Sequence, residues 1–185
     1  LVFVEPIEQL LYLASTQIDA SRTIQYEDSV IDSLASLAKK TGFVSQNFSG
    51  VTAQALAPLE PFAAYVITQA IQRYGQNERS LFSFLNARGR NSLSEYEGKI
   101  YQLQCCYDYI YYNFYSYLKE ANADSMQWSS MQVAIERVEG QLWDTKTDLV
   151  DAIKLVKAIG LLNLFGNASF KMSREDTALY AKTAL

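Results

Sequence analysis

Four arginines, Arg73, Arg79, Arg88 and Arg90, fall within eighteen positions, with Glu78 as the acid among them. A guanidinium held at a helix end can stabilise the charge on a transferring phosphoryl group, which is the chemistry of an arginine finger. The same residues can also simply face water, where a Glu78–Arg79 pair is worth under about 1 kcal/mol. Asp144, Asp148 and Asp151 lie four and three apart, on one side of a helix. They lack the oxygen-rich loop of a calcium site and are expected to form a solvated face. Between 107 and 117 stand six tyrosines and a phenylalanine. Such rings can stack bases or sugars. At helical spacing, however, the inner rings fill a core, and the hydroxyls of Tyr109, Tyr112 and Tyr115 are left to water or a partner chain.

Other chemistry is excluded by residue type. The 185 residues contain no histidine, which removes the commonest general base and metal ligand and every Ser–His or Cys–His pair. No G-x-x-x-x-G-K-[ST] loop occurs; Gly98-Lys99 is followed by Ile100 and lacks the preceding glycine. The chain by itself therefore cannot hold a nucleotide in the P-loop manner. A net charge of −4 disfavours nucleic acid as a partner, although the arginine segment keeps a local basic patch possible. No run of about 18 apolar residues occurs, so no membrane partner is expected. Cys105 and Cys106 are adjacent; a bridge between neighbours is strained, and two thiols in a reducing cytoplasm are expected.

The elements that must position these groups are almost all helical. Ile7, Leu10, Leu11, Ala14 and Ile18 mark one helix opened by Pro6. Val30, Ile31, Leu34, Leu37 and Ala38 mark a second over 27–40, ended by Gly42. An uncharged polar stretch over 43–58 precedes a third helix over 60–74, capped by Gly75. Residues 81–85, with Phe82 and Phe84, read as a short strand, and 86–91 as a basic loop. Overlapping capping boxes at Ser92 and Ser94 open a long helix reaching Lys119, with Ile100, Leu103, Tyr107, Ile110, Phe114 and Tyr117 inward. Trp128, Met131, Ile135 and Val138 repeat the stripe in a fifth helix, and a sixth spans 145–165. Ser173 and Asp176 open a last one. The expected fold is mainly α, a bundle of about six or seven helices with at most one short strand, at 81–85.

Several segments, in order, carry a resemblance. They are 3–11 (Phe-Val-Glu-Pro-Ile-Glu-Gln-Leu-Leu), 73–85, Tyr107-Asp-Tyr109, Trp128 with Ala134-Ile-Glu-Arg137, 157–166 and Ser173 before the last helix. Together they resemble a family of large bacterial P-loop ATPases of the broad AAA+/STAND class, often encoded in phage-defence loci. In such proteins the P-loop and Walker-B acid precede the matching region. The resemblance implies that 1–86 are helices and a strand from the end of an ATPase core, and that 87–185 form a helical lid. It also implies that Arg79, just before the strand, reaches a neighbouring subunit's nucleotide. ATP and Mg²⁺ would belong to the rest of such a protein, and this chain alone, without P-loop or Walker-B acid, is expected to be inactive.

Two functions follow as expectations. One is a non-catalytic lid and oligomerisation segment that switches with nucleotide state through a hinge at 87–91, partnered by other domains of its own polypeptide or a neighbouring protomer. The other is a helical protein-interaction adaptor. Tyr109, Tyr112 and Tyr115 are the candidate contact residues of the adaptor, and Arg88 and Arg90, in the Arg73–Arg90 patch, are those of a less favoured nucleic-acid-contacting module.

Overall fold

The computed structural model describes residues 7–18, 27–75, 78–86, 89–120, 123–166 and 172–185. Among them are ten α-helices and no strand. They are α1 (Ile7–Gln17), α2 (Asp28–Lys40), α3 (Gly50–Ala55), α4 (Pro61–Tyr74), α5 (Glu78–Asn86), α6 (Leu103–Asn113), α7 (Tyr115–Lys119), α8 (Ser125–Glu139), α9 (Lys146–Phe165) and α10 (Arg174–Ala184). No described helix is long and apolar enough to cross a membrane. The mainly helical class is as expected, but the helices are more numerous than six or seven, because the expected strand is a helix, one expected helix is subdivided and an expected loop contains a short helix.

The expected strand at 81–85 is the clearest correction. It is α5, and the reason lies in its spacing: Leu81, Phe84 and Leu85 stand at i, i+3 and i+4 and are all buried. A strand would have put Phe82 beside Phe84, yet Phe82 points outward at 37% exposure. A single strand would also have had no described partner; the one bridge, Leu59 to Tyr101, is isolated.

The expected helix from Ser92 to Lys119 is broken twice. Leu93–Glu95 form a single 3-10 turn, and Tyr101 leaves helical geometry so that its N–H donates to the Pro58 carbonyl (2.7 Å). Phe114 separates α6 from α7. The stretch 43–58 is not all loop, since Ser49 caps α3 by accepting from Thr52 N–H.

Helix α4 is the axis of the bundle. Nearly every side chain from Pro61 to Ile71 is buried, and α1, α2, α5, α6 and α9 pack around it. Buried side chains from all ten helices join one core. Contacts of α4 with α6 and α9, and of α2 with α10, cross residue 86, where the two regions were expected to divide.

Glu60 caps this buried helix. Its carboxylate accepts from Phe62 N–H (2.8 Å), Ala63 N–H (3.0 Å) and the Tyr180 hydroxyl of α10 (3.0 Å). The Tyr180 oxygen in turn accepts from Leu103 N–H (3.5 Å), and its ring meets Phe62 edge to face. One polar node thus joins the starts of α4 and α6 to α10. The Cys106 thiol, donating to the Ala63 carbonyl (3.6 Å), lies beside it. Ser173 opens α10 as expected, through a capping box with Asp176, which also pairs with Lys40 at 2.6 Å.

At the end of α2, Gly42 sits at φ 74°, and Phe43 N–H closes back on the Ala38 carbonyl (2.9 Å). Gly42→Ala is expected to cost about 1–2 kcal/mol in urea unfolding, because a Cβ is strained in the left-handed region.

Candidate protein-interaction surface

Helix α8 carries two stripes. The inner one, Trp128, Met131 and Ile135, steps by three and four and faces the bundle as expected, whereas Val138, expected with them, lines the outer hollow. Trp128 is its anchor. Its indole N–H donates to the Tyr74 hydroxyl (3.2 Å), which donates to Asp124 (2.7 Å). Arg73 pairs with the same carboxylate at 3.0 Å and lies over the Phe165 ring. Burial pushes the Tyr74 hydroxyl above its ordinary range, so it stays a donor. Gly160 of α9 lets that helix close on Met131, since a Cβ there would run into the thioether.

The outer stripe is Met126, Ser130, Val133 and Arg137, spaced four, three and four. Helix α8 packs on α9, touches α7 and lies at the bundle's edge, so this stripe has no described covering. Met126 is 78% exposed and Val133 44%; Ile159 of α9 is 38% exposed beside them. Two adjoining hollows follow the stripe. One, of about 480 Å³, lies between α8 and α9, where Met126, Ser130 and Ala134 face Val156, Ile159 and Gly160. The other, of about 530 Å³, runs on past Val133 to Arg137 and Val138. Arg137 is the one charged residue among the lining side chains. An apolar trough of this shape, with small residues along its floor, suits the face of another helix.

The residues singled out from sequence lie elsewhere. Arg79 is exposed in the first turn of α5, so it does not precede a strand; the Glu78 side chain and Arg88 lie outside the described residues. Arg90 is exposed over the Tyr112 ring (4.8 Å) and Lys119 over Tyr115 (5.4 Å). Tyr112 and Tyr115 are outward on α6 and α7, whereas Tyr109 is buried against Phe84 (ring centres 4.8 Å apart). Tyr109 turns inward because α5, as a helix, brings Phe84 to that flank of α6. The structure therefore joins Arg90 with Tyr112 but not with Tyr109 or Arg79.

The carboxylates are also accounted for locally. Asp148 accepts from the Thr145 hydroxyl at the start of α9, and Asp151 pairs with Lys154. No metal-binding group of acids and cysteines occurs among the described residues. Cys105 and Cys106 are both free thiols, and burial raises the pKa of each.

The outer stripe of α8 escaped sequence reading because a serine and an arginine occupy two of its four positions. Its four-three-four spacing was the signal that could have found it. Comparison with protein-family models, curated proteins and solved structures finds no match to the chain.

Proposed function

We propose that the chain is a non-catalytic helical module that acts by binding protein, with the α8–α9 trough as its docking face. The observation that carries this reading is the exposure of Met126 and Val133 of α8 beside Ile159, on a helix whose opposite face already holds it to the bundle. The two cysteines, both thiols, fit a cytoplasmic setting. The test is a photo-crosslinking side chain placed at Ala134 and activated in cells expressing the protein. A covalent protein adduct that disappears with Met126→Glu is expected. Absence of any adduct would sink the proposal.

A second reading makes this module the lid of a larger bacterial ATPase, with ATP and Mg²⁺ held by other parts of that protein and a role in phage defence. The ordered segments resembling that family support it, and Arg79 is exposed at a helix start. In such an ATPase, Arg79→Ala should remove most turnover while nucleotide binding stays nearly unchanged. Unaltered turnover would dismiss the arginine-finger role.

A further inference from the structure

We infer that the trough binds an acidic amphipathic helix of a partner protein, held by Arg137 at one end and Arg174 at the other. The inference rests on the reading of the trough as a protein-docking face and names its occupant. A third hollow, of about 270 Å³, adjoins the trough where Ile159 and Asn163 line both, and leads to Met172, Arg174 and Thr177 at the start of α10. The hollows of Arg137 and Arg174 share no lining residue, and each adjoins the middle one. The two arginines therefore stand at separate ends of a row of three.

Charge specifies the ends of what fills this row. The chain carries 20 acidic residues against 16 basic ones, yet no described acid lines any of the three hollows, and their two charged residues are both arginines. Arg137 and Arg174 are exposed, and neither makes an ion pair with a described residue. The acids next to Arg174 serve α2 instead: Asp176 holds Lys40, and Glu175 lies close enough to act on the same ammonium. Two cations at the ends of an uncharged floor complement carboxylates at the ends of an apolar face, and they repel a basic one. The floor specifies the rest. All three methionines of the chain, Met126, Met131 and Met172, line the row. Thioether side chains reshape around the aliphatic and aromatic anchors of a bound helix. Methionine and arginine are also residue types that protein interfaces concentrate. Met126 to Arg137 spans about 16 Å, so a helix of about 16 residues covers that length with turns to spare toward Arg174.

The test is fluorescence anisotropy of two labelled peptides with the whole chain. Both peptides have about 16 residues, with leucines spaced three and four apart on one face and alanine and glutamine elsewhere. One carries glutamates at both ends of that face, the other lysines. The glutamate peptide should bind with a Kd of about 10 µM, and the lysine peptide about 10-fold more weakly or worse. Arg137→Glu combined with Arg174→Glu should reverse that preference, while helicity by circular dichroism stays unchanged. Met126→Glu should weaken the glutamate peptide by about 10-fold or more, by placing a charge in the apolar contact. Equal binding of the two peptides overturns the inference, as does a preference that survives the double reversal or binding indifferent to Met126→Glu. An Ala134 adduct at twice the chain's 20.9 kDa also overturns it, by giving the face to a second copy. If neither peptide binds while the Ala134 crosslink captures a different protein, the docking face stands and the acidic helix is wrong. If neither peptide binds and no adduct forms, both readings fall.

Discussion

Glu60→Ala is expected to lower the unfolding free energy by about 3–5 kcal/mol, since it strands three buried donors at about 1–3 kcal/mol each, with partial relaxation. The donors are Phe62 N–H, Ala63 N–H and the Tyr180 hydroxyl, and Glu60 itself is fully buried. A loss of that size is a large part of an ordinary domain's stability. Urea unfolding followed by circular dichroism measures it, and a loss below about 1 kcal/mol would mean that the site collapses without the carboxylate.

The same group confers a pH dependence. Burial raises the Glu60 carboxyl from its ordinary 4.5 to about 8, against the pull of Phe62 N–H, the Tyr180 hydroxyl and Ala63 N–H. The folded protein therefore keeps a proton that the unfolded chain releases near pH 4.5. Stability from this group is complete below pH 4.5 and is lost as pH rises to about 8. Burial also raises Cys106 and Tyr180 well above their ordinary values, so both stay neutral across this window. Glu60→Gln cannot titrate. The stability of wild type relative to Glu60→Gln should fall between pH 5 and 8, by up to about 1.4 kcal/mol per pH unit. A flat difference would show that the three donors hold the carboxylate ionised in the fold.

Trp128→Ala is the second large effect, a loss of about 3–5 kcal/mol for a buried tryptophan. Trp128 is 2% exposed and lies against Tyr74 and Tyr107. Its indole N–H is one of the polar ties joining α8 to α4 through Tyr74, so the substitution loosens α8 as well as leaving a cavity. Limited proteolysis should then cut within 123–140 in the variant and spare the wild type. Trp128→Phe refills part of the space and should recover about half of the loss. Resistance of Trp128→Ala to proteolysis there would mean that the contacts with α9 suffice to hold α8.

The helices were legible where a long apolar stripe and a cap agreed. Leu34, Leu37 and Ala38 are buried as their spacing indicated, with Gly42 following the helix, and Ser173 with Asp176 opens α10 as expected. Legibility failed where two periods competed over a few residues. In 81–85, Phe82 and Phe84 suggest alternation, while Leu81, Phe84 and Leu85 suggest a helix; packing against Tyr101 and Tyr109 decides for the helix. The break at Phe114 was invisible because no glycine or proline marks it, whereas Gly98 stands inside the earlier break, where Tyr101 leaves the helix to pair its backbone with Pro58, a partner 43 residues away. Glu60 looked like an ordinary helix-start acid, and only the distant Tyr180 makes it a buried node. The docking face was hidden for a different reason: exposure is a property of the assembled bundle, and Met126 or Val133 could as well have been core.

The bond between Glu60 and Tyr180 spans 120 positions of chain. At about 5–20 residues per second, a ribosome needs roughly 6–24 s to pass from the first to the second. Through that interval the N–H groups that start α4 have the Glu60 carboxylate but not the tyrosine that closes over it, and Phe62 lacks the ring that will cover its edge. The central helix therefore waits, with its most buried end still wet, until the last helix is made. Completion of the core is an event after synthesis of residue 180, and a nascent chain halted before it should remain open to proteases at 58–63.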